Sequence, residues 1–204
     1  LHPTSLPGPH GIGDLGPHAY AWVDFLAEAG CGLWQVLPLG PTGFDNSPYQ
    51  SFSAFAGNPY LVSPELLQAD GLLRAEDLAH GGFDADYVDF HSLIPWKMRV
   101  LDAAFRRFRE TGSSRLREDF SEFRRQKVSW LDDFCLFMAL KETQGKRWDE
   151  WPEPLRRRHP EAIVSAKHAL AHEMERQAFH QFLFFPLWQA VRAHAGSKGV
   201  RGIG

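Results

Sequence analysis

The sequence predicts an α/β fold: the opening strands of an incomplete parallel barrel, interrupted by a large all-helical inserted subdomain. Three observations carry this. The apolar run Leu33-Trp34-Gln35-Val36-Leu37, fenced by Gly32 and by Pro38 and Gly40, reads as a buried parallel strand. A helical pattern stands just before it. Beyond it, apolar residues recur at helical spacing for about a hundred positions before a second strand begins near Val200. The expected division is 1–60 for the first βαβ unit and the loop after it, 61–160 for a mainly helical insertion, and 161–204 for a long helix returning to the next strand.

Taken in order, Leu1 to Pro9 is rich in Pro and Gly and holds at most the end of a strand, at Leu1–Thr4. Gly16-Pro17 opens a helix, with Pro17 suited to the first helical position. Ala19, Trp22, Val23, Leu26 and Ala29 follow at helical spacing, and Gly30 closes it. The strand over Gly32–Leu39 completes a βαβ unit, which demands parallel pairing. Pro64 to Leu78 reads as short helical turns, and Gly81 to Pro95 as irregular chain. There Asp84, Asp86 and Asp89 lack the order and closing glutamate of a calcium loop and read as a solvated turn.

Three long helices are expected next. The first turns Met98, Leu101, Phe105 and Phe108 to one face. The second runs from Ser114 to Lys141, with Phe120, Phe123, Leu131 and Phe134 inward. Its arginines alternate with acids, as on a solvated face rather than a nucleic-acid surface. After a Trp- and Pro-rich loop, the third starts near Pro160 and buries Met174, Ala178, Phe182, Phe185 and Trp188. Pro186 inside it should kink it. The chain begins at Leu1 and closes on a strand just starting, so it reads as a fragment.

Composition narrows the function. A chain of 204 residues with net charge −3 gives no electrostatic reason to expect nucleic acid or an anionic membrane. No apolar run reaches about eighteen residues, and the opening LHPTSLPGPHGIG is not a signal peptide. Cys31 and Cys135 sit in apolar contexts and read as buried free thiols of a cytosolic protein.

The chemistry concentrates between Gly40 and Tyr60. Phe44, Tyr49, Phe52, Phe55 and Tyr60 supply aromatic faces, while Asn46, Ser47, Gln50, Ser51, Ser53 and Asn58 supply neutral hydrogen-bonding groups. That mixture suits a sugar, and equally a rigid loop whose aromatics plug a core. His168 and His172 are four apart, but a zinc-peptidase helix needs histidine where Arg176 stands, so no metal site is expected. No phosphate-binding, dinucleotide or nucleophile-elbow motif is present, and no cofactor is expected. Glycoside chemistry needs two facing carboxylates. Asp14 and Asp45 are the local ones, neither has a persuasive partner, and Asp45 reads equally as a turn residue.

The stretches Leu1-His2-Pro3-Thr4-Ser5-Leu6-Pro7-Gly8-Pro9, Gly11-Ile12-Gly13-Asp14-Leu15-Gly16, Trp34 to Gly43 and Ser47 to Tyr60 resemble the N-terminal part of the 4-α-glucanotransferases, the amylomaltase or disproportionating-enzyme family. Phe137 to Lys141 and Phe182 to Trp188 fit the same family. The resemblance implies a (β/α)8 TIM barrel of the α-amylase superfamily with added helical subdomains. It implies transfer of an α-1,4-glucan segment to the 4-hydroxyl of glucose or another maltodextrin, in the cytoplasm. It further implies a retaining mechanism with an aspartate nucleophile, a glutamate acid/base and a stabilising aspartate. No catalytic residue is then expected within this chain. All three belong to later strands, past an Asp-x-Pro-Ile-Phe-Val segment expected after the strand at Val200. Carried over by position, Tyr49 resembles the tyrosine packed on the sugar at the cleavage subsite, and Ser47 and Asn46 are partners for glucan hydroxyls. Phe44 stands where some relatives place a tyrosine of a second glucan groove, keeping the stacking face without the hydroxyl. The alternative, from another class, is a non-catalytic maltodextrin-binding or helical interaction module.

Overall fold

A computed structural model of the chain describes every residue except Gly81, Ala85 and Gly204, and the backbone but not the side chains of Phe44 and Ile203. Helix α1 (Pro17–Glu28) starts and stops where the sequence dictates. Pro17 follows the Gly16 cap, where its fixed φ suits the helix and its missing N–H leaves nothing unpaired. Gly30 turns the chain at φ 73°, and the Cys31 amide reaches back to the Leu26 carbonyl at 2.8 Å. Ala19, Val23 and Leu26 form its buried face.

Strand β1 (Leu33–Gln35) pairs in parallel with β2 (Arg201–Ile203), Leu33 beside Arg201 and Gln35 beside Ile203. The strand expected over Gly32–Leu39 is therefore only three residues long. Pro38 beyond it carries no N–H for a ladder. It is also covered on one face alone: Trp34 and Val36 are buried, whereas Leu33, Gln35 and Leu37 are exposed. Trp34 anchors it, donating its indole N–H to the Leu1 carbonyl at 2.8 Å and meeting the Trp188 ring edge-on at 6.5 Å.

The strand end expected at Leu1–Thr4 is instead a 3₁₀ turn at Pro3–Ser5. Pro3 fixes the first turn, and His2 Nδ1 accepts from the Thr4 amide at 3.3 Å. The βαβ unit expected over 1–60 thus lacks its first strand among the described residues, and the parallel partner of β1 is β2.

The chain divides into two units, Leu1–Ser113 with Leu183–Gly204, and Ser114–Phe182. The division does not fall at 60 and 160, because the segments after Tyr60 pack into the first unit. These are α2 (Pro64–Ala69), a 3₁₀ turn at Ala75–Leu78, and α3 (Phe90–Thr111). The Leu15 amide donates to the Leu61 carbonyl at 2.9 Å, and Trp96 of α3 stacks on His10 at 5.2 Å. Helix α3 begins inside a stretch that reads as irregular, since Asp89 caps it by accepting from the His91 amide at 3.0 Å and the Ser92 hydroxyl at 2.8 Å. Pro95 lies inside it.

The second unit holds α4 (Ser114–Gln126), α5 (Leu131–Gln144), α6 (Glu153–Arg156), α7 (Pro160–Ala169) and the first part of α8 (Ala171–Ser197). Both helices expected here as single runs are broken. A turn at Lys127–Trp130 separates α4 from α5 and lets Phe120, Leu131 and Phe134 all bury. A break at Leu170 lets that residue join Ile163 and Met174 around Leu136, Leu140 and Trp151. Helix α8 itself runs on across Pro186, which is exposed. Both cysteines are free, but Cys31 is exposed, because it lies just past the turn that ends α1. Burial pushes the Cys135 thiol up to about 12. His168 and His172 lie on separate helices, both exposed. Among the described residues no helix is long and apolar enough to cross a membrane.

Candidate functional site

The aromatic loop after β1 is tied to itself at three levels. The Asn58 amide donates to the Leu39 carbonyl at 2.7 Å and closes its base. Thr42 and Ser51 bridge antiparallel, with the Gly43 amide on the Gln50 carbonyl at 2.7 Å and the Phe52 amide on the Pro41 carbonyl at 3.1 Å. Ser47 to Gln50 then form a turn, the Gln50 amide on the Ser47 carbonyl at 3.0 Å, with Pro48 where a fixed φ is wanted. Asp45 and Asn46 each adopt φ 54°, a left-handed conformation that Asp and Asn tolerate better than most residues.

These bonds decide which groups remain for a ligand. Ser53 Oγ accepts from the Phe55 and Ala56 amides, each at 3.1 Å, and Ser51 Oγ donates to the Ser53 carbonyl at 2.9 Å. Asn58 Oδ1 caps the 3₁₀ turn at Pro59–Leu61, accepting from the Tyr60 amide at 2.9 Å. Three of the loop's neutral hydrogen-bonding groups, Ser51, Ser53 and Asn58, thus brace the loop itself. Tyr49, by contrast, is 74% exposed.

Tyr49 stands at a groove of about 640 Å³ in the first unit, with Val36 to Gly40 and Ala54 to Gly57 on its walls. Phe184, Phe185, Trp188 and Arg192 of α8 also line it. Phe184, Trp188 and Arg192 are four apart and so share one helix face. The sequence places Phe182, Phe185 and Trp188 in the core and matches Phe182 to Trp188 to a family pattern, but that reading missed this side of the groove; Phe184 and Trp188 ahead of Arg192 at helical spacing were the available signal. Asn46 and Ser47 sit half-buried on the turn before Pro48 and do not line the groove. The Phe44 side chain lies outside the described residues. No Asp or Glu lines the groove among the described residues. What this arrangement offers is apolar and aromatic surface with Ser51, Ser53 and one arginine, which binds rather than transfers protons.

The two carboxylates weighed from the sequence lie elsewhere. Asp45 is exposed on the loop. Asp14 accepts from the Gly16 amide at 2.8 Å, just ahead of α1. Burial pushes its carboxyl up, against the pull of the Lys97 ammonium. Lys97 has no exposed surface, and burial lowers it to about 8 although Asp14 opposes the shift.

The sequence profile described as 4-alpha-glucanotransferase matches residues 1–204. The 4-alpha-glucanotransferase of Thermus thermophilus is 52% identical over 205 residues, which are all of this chain and 40% of that one. The chloroplastic/amyloplastic 4-alpha-glucanotransferase of Solanum tuberosum is 39% identical over the whole chain and 36% of its own length. Among solved structures, amylomaltase from Streptococcus agalactiae in complex with acarbose superposes with TM-score 0.94 at 38% identity, over 100% of this chain and 41% of that one. Amylomaltase from Corynebacterium glutamicum, at 17% identity and TM-score 0.67, shows the fold alone. The chain spans about two-fifths of the length of these relatives.

Proposed function

The chain belongs to the 4-alpha-glucanotransferase family, and from that premise we propose that it is the glucan-gripping N-terminal part of a cytoplasmic enzyme. The enzyme transfers a segment of an α-1,4-glucan to the 4-hydroxyl of glucose or of another α-1,4-glucan. In this reading β1 and β2 are neighbouring strands of an incomplete (β/α)8 barrel, and the helical unit Ser114–Phe182 is an insertion between them. Ligands of α/β barrels gather at the carboxyl ends of strands, which is where the loop after β1 stands. Two free thiols, one of them exposed, suit a reducing compartment.

The observation that carries the proposal is the groove beyond β1, largely apolar and aromatic, with exposed Tyr49 at its side and no carboxylate in its lining among the described residues. Tyr49 stacks on a glucose ring, and Asn46 and Ser47, on the turn just before it and outside the groove lining, meet hydroxyls of the glucan where it leaves the groove. The acarbose bound by the Streptococcus relative, an amylomaltase, supports a glucan-like ligand here. The retaining displacement then draws its carboxylates from outside this chain.

Maltotriose tests this directly. The chain alone and the same chain extended to the length of its relatives are incubated with the sugar, and products are separated by chromatography. Glucose together with longer maltodextrins is expected from the extended protein only. Transfer by the short chain itself would overturn the assignment of catalysis to residues outside it.

A further inference from the structure

Lys97 has a fully buried side chain, and its Nζ has no hydrogen-bond partner among the described residues. It interrupts the apolar face of α3 between Leu93, Trp96, Val100 and Ala104. A lysine is almost never fully buried without a reason, because taking its charge out of water is costly. The opposite charge acting on it is Asp14.

Asp14 belongs to a knot of three segments, all in the first unit. Gly16 approaches both Ser63 and Asp14 so closely that a Cβ there would overlap the Ser63 hydroxyl and crowd the Asp14 carboxylate. Ser63 is fully buried and directly follows the turn that ends the aromatic loop. Leu15 is hydrogen-bonded to Leu61 at 2.9 Å, and Asn58 to Leu39 at 2.7 Å, so the knot and the base of the loop are one piece of backbone. On the α3 side, His10 stacks on Trp96 and lies edge-on to His80 at 5.8 Å. The charges bearing on His10 are Lys97 and His80, and those bearing on Asp14 are Lys97 and His18.

We propose that Lys97 is a positioning residue for the aromatic loop: its buried ammonium, set against Asp14, holds the opening segment and the returning end of the loop on α3 and so fixes the seat of Tyr49. A buried pair of this kind adds little net stability, since desolvation offsets attraction, but removing one member strands the other. It therefore selects one arrangement rather than strengthening the fold at large. The link to glucan rests on the reading of the loop given above; the link to loop position does not.

The test compares the wild-type chain with Lys97→Met, Asp14→Asn and the double variant. Amide hydrogen exchange is read at Leu15, Asn58 and Leu61, with Leu136 and Ala139 of α5 as reference. Each single variant should speed exchange about tenfold at the three knot amides while leaving α5 unchanged, and the double variant should return toward wild type. Maltotriose affinity should follow the same order. Uniform acceleration across the chain, or single effects that simply add in the double variant, would overturn the proposal. Should a single variant fail to fold, a folded double variant with slow knot exchange supports the pair and an unfolded one refutes it. If even the wild-type chain shows no maltotriose binding, the glucan reading falls while the exchange pattern still decides the role of Lys97.

Discussion

Gly57 lies flat against the ring of Phe184, so close that a Cβ at position 57 would overlap the ring carbons. The contact joins the last turn of the aromatic loop to α8 and closes one wall of the groove. Phe184 is buried and its ring is rigid, so it cannot bend away as the end of a flexible side chain would. Gly57→Ala should therefore destabilise the first unit by about 1–3 kcal/mol, the usual range for overpacking a closed site. A denaturant titration followed by tryptophan fluorescence reads this, and an unchanged midpoint would show that the wall yields.

Tyr49 gives the opposite combination. With 74% of its surface exposed it contributes little to folding, so Tyr49→Ala should leave the midpoint within about 0.5 kcal/mol of wild type. An aromatic ring stacked on a sugar is worth far more to binding. Maltotriose affinity should drop about three- to tenfold in Tyr49→Ala and much less in Tyr49→Phe. Equal affinities in all three proteins, measured by calorimetric titration, would remove Tyr49 from the site.

Much of this arrangement can be read from the chain, and the failures have physical causes. Gly16-Pro17 and Gly30 mark both ends of α1 because Pro and Gly act through local backbone sterics alone. The loop stands out for the same reason. The start of α3 does not, since Asp89 looks like part of an acidic turn until its carboxylate is seen on the His91 amide, and Pro95 argues against a helix that its surroundings nonetheless hold. Lys97 was visible in principle: it falls in register with Leu93, Val100 and Ala104, where a solvated lysine has no place. The bracing by Ser51 and Ser53 was not, because only folded geometry says whether a hydroxyl serves its own loop or a ligand.

Asp24 of α1 meets two basic side chains near the end of α8, accepting from His194 Nε2 at 2.8 Å and Lys198 Nζ at 3.0 Å. The Lys198 bond, then the His194 bond, hold its carboxyl below the usual range. A depressed carboxylate contributes stability above its unfolded pKa, and that contribution is lost as pH falls through the folded one. Asp24→Asn should thus lower the melting temperature slightly at pH 7, with the gap to wild type closing in acid below the ordinary aspartate value of 3.8. The group is exposed, so high salt should shrink the gap as well. A gap that persists in acid would mean the substitution acts through packing instead.

His180 offers a larger acid effect in the helical unit. It has no exposed surface, and neither ring nitrogen has a hydrogen-bond partner among the described residues. Burial, and after it the Arg176 charge, lower it from 6.5 to about 3. Folded His180 therefore stays neutral while the unfolded chain takes up a proton, so stability is full above pH 6.5 and declines as pH falls toward 3. An apolar residue of similar size gives up no hydrogen bond and needs no deprotonation. His180→Leu should match or exceed the wild-type melting temperature at pH 7.5 and keep more of it at pH 4.5. Because His10, lowered to about 4, titrates in the first unit, the comparison is best read on α5 amides by hydrogen exchange across the same pH range. If the acid limb of those amides is the same in both proteins, the proton taken up on unfolding belongs to another group.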